Sequence, residues 1–86
     1  MRRFEVGQRY MVTHNARPVG IAQVLDVSRG WVTLELMRAD TRKAVRFSGY
    51  IRIVHGGVTC ECIVPRDYDA IYAGSAVYSR ETAHEL

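Results

Sequence analysis

KAVRFSGYIRIVHGGVTCECIV, residues 43–64, is the stretch whose reading decides the fold. Apolar residues recur at every second position through Val45, Phe47, Ile51 and Ile53, and again through Cys60, Cys62 and Val64, the alternation of half-buried strands. Between the two runs lie Gly56 and Gly57, which tolerate the positive φ of a tight hairpin turn. A two-residue turn there pairs Ile53 with Cys60, Ile51 with Cys62 and Gly49 with Val64. Gly49, midway along the longer run, marks a bulge or a sharp bend where the sheet curls.

Working outward, the turn RADTRK (38–43) sets Leu36 opposite Val45, Leu34 opposite Phe47 and Val32 opposite Gly49. A turn at Arg29-Gly30 sets Val27 opposite Val32, Leu25 opposite Leu34 and Gln23 opposite Leu36. Val24, Asp26, Thr33 and Glu35 then point the other way. A slip of one residue would move every side chain to the wrong face, yet three separately placed turns agree on one inner face. It comprises Leu25, Val27, Val32, Leu34, Leu36, Val45, Phe47, Ile51, Ile53, Cys60, Cys62 and Val64. QRYMVTH (8–14) supplies a first strand with Tyr10 and Val12 inward. After Pro65, Asp67 is placed to cap a short helical turn carrying Tyr68, Ile71 and Tyr72, with Gly74 as its stop. Residues 76–80 read as a closing strand that pairs with the first and then frays, the alternative being a helix capped by Ser75.

These elements predict an all-β protein: an antiparallel meander of five to six strands with a short helical turn near the C-terminus. The layout resembles the SH3-like barrel architecture in strand count and turn placement. That likeness brings no sequence motif with it, and so implies no function.

The 86 residues suffice for one domain spanning 1–86, whose core buries roughly 60 % of the surface of the unfolded chain. Hydrophobic residues make up 48 % and charged residues 24 %, a globular rather than a disordered composition. No apolar run reaches signal-peptide or membrane-span length, and the expectation is a soluble cytoplasmic protein with no membrane partner. The two cysteines lack the spacing of a secreted disulfide framework, which fits a reducing compartment. The net charge of +3 is unevenly spread: residues 1–52 hold ten Arg/Lys against four Asp/Glu (+6), and residues 53–86 hold two against five (−3). A basic half of this kind can face phosphate, and the acidic half can face a basic partner surface or the chain's own basic half.

His55, Cys60 and Cys62 invite three readings: a metal site, a redox pair, or small core residues. Two apart on a strand, the cysteines have Cα atoms about 6.6 to 6.8 Å apart, at the limit for a disulfide. A metal site would have at most three soft ligands and no visible fourth. The core reading is preferred, since free cysteine is among the most buried residue types. Neither His14 nor His84 has a carboxylate or nucleophile partner in sequence. Phosphate loops, nucleophile elbows and zinc-protease motifs are also absent from the sequence. A non-catalytic protein that needs no cofactor is the expectation.

On the outer face the same registers put Trp31 beside Tyr50, Tyr50 beside Ile63, Glu35 beside Arg46, Arg52 beside Glu61 and Thr33 beside Ser48. Trp31, Tyr50 and Ile63 would form an apolar stripe rimmed by Arg52. Either the C-terminal segment covers the stripe or the stripe meets a partner. The favoured partner is protein: a second copy of the chain, as a dimer or higher oligomer, or another protein. The alternative is single-stranded nucleic acid, with bases on the aromatics and phosphates on Arg29, Arg38, Arg42 and Lys43.

Overall fold

The computed structural model describes residues 1–75. Its strands are β1 (Arg9–His14), β2 (Arg17–Ser28), β3 (Trp31–Arg38), β4 (Ala44–Tyr50), β5 (Arg52–Val54), β6 (Cys60–Ile63) and β7 (Ile71–Tyr72), followed by a 3₁₀ turn at Ala73–Ser75. They form two antiparallel sheets, ordered β1-β2-β3-β4 and β5-β6-β7. The all-β antiparallel class is as expected; among the described residues the sheets do not close into a barrel. The expected closing strand at 76–80 lies outside the described residues.

The chain crosses from one sheet to the other at Ile51, between β4 and β5, where the Ile51 N–H donates to the carbonyl of Gly30 at 2.7 Å. The bend expected near Gly49 thus falls two residues later. One face of the four-stranded sheet supplies Tyr10, Val12, Ala22, Val24, Val32, Leu34 and Leu36 to the core, and Phe4, Ile63, Ile71 and Ala73 pack with them. Tyr10 is fully buried, edge-on to Phe4 at 5.5 Å, and its hydroxyl donates to Gln8 Oε1 at 2.7 Å. Burial, and then the charges of Glu5 and Glu61, push its phenol up to about 12.

Two expected registers are off by one residue. β2 and β3 pair as expected at the turn, Val27 with Val32, but the register shifts between Val24 and Asp26. Leu25 is bulged out, so Val24 faces Leu34, Ala22 faces Leu36, and Gln23 faces Glu35 on the outer side. An added residue in one strand exchanges its faces beyond that point. The core therefore takes Ala22 and Val24, and Leu25 is only half-buried.

β5 and β6 pair Arg52 with Cys62, Ile53 with Glu61 and Val54 with Cys60, leaving a five-residue loop, 55–59, in place of the two-residue turn at Gly56-Gly57. Ile63 becomes a core residue, whereas Ile53 and Val64 are exposed. Cys60 and Cys62 move to the side of β6 opposite Ile63. Both are free thiols; Cys62 is buried there, but not in the main core. Burial pushes the Cys62 thiol up, and the neighbouring Cys60 adds to this.

Ile71 and Tyr72 also depart from expectation: they pair with β6 as a strand, and the helical turn begins only at Ala73. The anchoring carboxylate is Asp69 rather than Asp67. It accepts the Thr13 hydroxyl at 2.7 Å and the N–H groups of Ala16 at 2.8 Å and Asn15 at 3.1 Å. Asn15 and Ala16 have φ of 50° and 65°, the left-handed pair of a tight hairpin turn that costs a non-glycine residue energy. Asp69 offsets that cost by satisfying both amides, and the same hydrogen bonds, the Thr13 hydroxyl first, hold its carboxyl below the usual carboxylate range.

Candidate functional site

With one face of the four-stranded sheet in the core, the other faces outward and can be read row by row across the strands. Ser28, Trp31 and Tyr50 form a row at the β2–β3 turn end. Next come Asp26, Thr33 and Ser48, with the two hydroxyls 2.9 Å apart. Arg9, Gln23, Glu35 and Arg46 follow, linked by an Arg9–Gln23 hydrogen bond of 3.3 Å and an Arg46–Glu35 ion pair of 3.2 Å. Met11, Ile21, Met37 and Ala44 make a row at the opposite end.

Trp31 and Tyr50 stand opposite each other on β3 and β4, as the turn at 38–43 requires. Their ring centroids are 4.1 Å apart with the planes inclined by 38°. Trp31 is 42 % exposed and Tyr50 63 %. Neither Tyr68 nor Tyr72 covers them: Tyr68 packs on Phe47 at 5.2 Å, and Tyr72 lies on β7 opposite Cys62. Ile63 does not extend the stripe. It has no exposed surface, and it lies beneath Gly49, where an added Cβ would sit 3.6 Å from the Ile63 Cβ.

What borders the pair instead is a shallow cleft of about 280 Å³, lined by Trp31, Ser48, Tyr50, Arg52, Val64, Pro65 and Arg66. The expected Arg52–Glu61 pair does not form. Arg52 faces Cys62, and Glu61 Oε1 accepts the Phe4 N–H at 2.9 Å. Among the described residues, the ion pairs are Arg38–Asp40 and Arg46–Glu35, so neither Arg52 nor Arg66 is held by a carboxylate.

The expected basic contacts separate into two groups. Arg29, at the β2–β3 turn with φ of 50°, is two residues from Trp31. Arg38, Arg42 and Lys43 lie at the other end of β3, about 24 Å away at the rise of an extended strand. Arg38 is engaged in a two-point contact with Asp40, Nε to Oδ1 at 2.9 Å and Nη2 to Oδ2 at 2.8 Å, which raises its pKa and holds the Asp40 carboxyl down at about 2. Arg42 and Lys43 are exposed.

Sequence reading missed Arg66 and the Met11–Ile21–Met37 row. Met11 and Met37 were accessible to it, since each alternates with residues already assigned, but the bulge at Leu25 put Ile21 on the wrong face. No sequence signal places Arg66, because the 64–70 connection takes its path from the pairing of β6 with β7. Among the described residues, no group of three or more His, Cys, Asp or Glu is placed to hold a metal ion. No helix there is long and apolar enough to cross a membrane. No family model, curated protein or solved structure matches the chain.

Proposed function

We propose that this protein is a small non-catalytic binding module whose working surface is the outer face of the four-stranded sheet, anchored at Trp31 and Tyr50. The observation that carries the reading is the aromatic pair itself, stacked and open to solvent on a sheet whose other face already forms the core. Large exposed aromatics beside arginines that pair with no carboxylate among the described residues are the composition of binding hot spots, and they contribute little to a core they do not touch. The cleft beside the pair is shallow, and among the described residues that line it there is no nucleophile–base pair, which supports a binding rather than a catalytic role. The SH3-like barrel arrangement belongs to the same proposal. Two free thiols fit a cytoplasmic, reducing setting.

If the pair serves binding rather than folding, removing it leaves the fold intact. The double variant Trp31→Ala/Tyr50→Ala is expected to lower unfolding free energy by no more than about 1 kcal/mol, the scale of an exposed cross-strand pair. Urea denaturation measures this, and a loss above about 3 kcal/mol would show the pair to be a structural element and end the proposal.

A second reading, self-association or docking of another protein, is favoured by the Met11–Ile21–Met37 row. Met11 and Met37 are exposed there on adjoining apolar surface, and methionine adapts to a partner's shape. Sedimentation across protein concentration checks it: association that Met37→Glu abolishes is the expected result, and a monomer at every concentration is the contrary one.

A further inference from the structure

We infer that the cleft beside Trp31 and Tyr50 binds single-stranded nucleic acid, with bases stacked on the aromatic pair and phosphates set against Arg52 and Arg66. This deepens the binding-module reading and rests on it. Every base has a π-face, and exposed aromatics on a sheet take unstacked bases irrespective of sequence. A duplex hides those faces inside its own stack, so exposed rings of this kind select single strands.

Charge points the same way. Arg52 and Arg66 line the cleft with no carboxylate of the described residues holding them, and Arg29 stands at the adjoining turn. Guanidinium groups suit phosphate through paired hydrogen bonds and also stack on flat rings. The whole chain carries a net charge of +3, and residues 1–52, which hold both aromatics, carry ten Arg/Lys against four Asp/Glu. Asp26, in the row next to the aromatic pair, accepts the Ser28 hydroxyl at 3.0 Å. An apolar protein partner would want the aromatics continued by aliphatic surface. Along the sheet the aromatics are not so continued, because Ile63 is buried and the next row is the Thr33–Ser48 hydroxyl pair; Val64 and Pro65, on the cleft wall, give a base an apolar edge to lie against.

The test is fluorescence anisotropy of a dye-labelled short oligothymidylate, titrated with the full chain at low salt and again as salt is raised. Binding is expected to weaken with log salt by a slope of about 0.7 per phosphate contacted. Tyr50→Ala should weaken it about 5- to 150-fold, with Tyr50→Phe, which keeps the ring, near the parent. Arg52→Gln together with Arg66→Gln should flatten the slope by about 1.4. Arg42→Gln with Lys43→Gln, at the distant end of β3, should leave the short oligomer unaffected.

No binding, equal binding of a duplex of the same length, equal displacement by polyglutamate, or indifference to Tyr50→Ala would each overturn the inference. Acrylamide quenching of Trp31 in the same samples separates the levels of failure. A quenchable Trp31 that ignores the oligonucleotide overturns the ligand and leaves the binding face standing, whereas an unquenchable one overturns both.

Discussion

Ile63→Ala is expected to cost about 2 to 5 kcal/mol of unfolding free energy, the range for truncating a fully buried aliphatic, while Ile53→Ala stays within about 0.5 kcal/mol. The two isoleucines lie on neighbouring strands of the same hairpin and on the same side of it, since Ile53 pairs with Glu61, but they differ in which one is covered by the core. Ile63 is fully buried among the residues of the four-stranded sheet, whereas Ile53 is 52 % exposed. A two-residue turn at Gly56-Gly57 would reverse the order, sending Ile53 inward and Ile63 out to the aromatic pair.

The longer loop prevails because of bonds from a distant part of the chain. The Arg2 N–H donates to Thr59 O at 3.1 Å, the Glu61 N–H donates to Arg2 O at 2.8 Å, and the Phe4 N–H donates to the Glu61 side chain at 2.9 Å. These fix which residues of β6 face inward. The loop closes locally with a Val58 N–H to Gly56 O bond of 2.7 Å and with Gly57 at φ of 72°. Chemical denaturation of the two alanine variants decides between the registers. Equal losses, or a larger loss at Ile53, would contradict the placement of Ile63 and restore the apolar stripe.

The second large effect is expected at Gly20. A Cβ there would run into the Met37 carbonyl oxygen, with the Met37 carbonyl carbon 2.9 Å and the Arg38 Cα 3.0 Å away. All three are backbone atoms of the neighbouring strand β3, so no rotamer change relieves the contact. Gly20→Ala must push β2 and β3 apart where Gly20 pairs with Arg38, and there the Ala39 N–H also donates to Val19 O at 2.8 Å. A loss of about 3 kcal/mol or more is expected. For a chain of this length that is a large share of a total stability of about 4 to 13 kcal/mol. Gly56→Ala is the control, since an added Cβ there meets nothing within 4 Å. Thermal denaturation is expected to show a deep fall in Tm for Gly20→Ala and little change for Gly56→Ala. Similar melting of the two would contradict the close approach of the strands.

How far the sequence could be read follows from how local each determinant is. The β3–β4 register was legible from end to end: Leu36 meets Val45, Leu34 meets Phe47 and Trp31 meets Tyr50, because one turn between two cleanly alternating strands specifies all of it. The aromatic pair, which the functional reading depends on, comes from that part. Two features escaped. At Val24-Leu25 both residues are apolar, so alternation cannot say which of them enters the core, and the bulge that settles it is chosen by packing. At 55–59 the glycine pair gave a strong local signal for a short turn, and the N-terminal residues 2–4 overrode it from more than fifty positions away. The charged rim was half legible. Arg52 was named but assigned to Glu61, and Arg66 was not seen, because both depend on how the second sheet pairs. Arg38, named as a phosphate contact, proved to be engaged by Asp40 only two residues on, a pairing that lies within the span of its own turn.

The most direct test of the central claim uses the chain's only tryptophan: the emission spectrum of Trp31 recorded over a wide range of protein concentration with no ligand present. A red, water-exposed spectrum that does not move with concentration is the predicted result, since the aromatic pair is open and the Met11–Ile21–Met37 row lies at the other end of the sheet. A blue spectrum at every concentration would mean that Trp31 is covered, and the outer face would then be no binding surface.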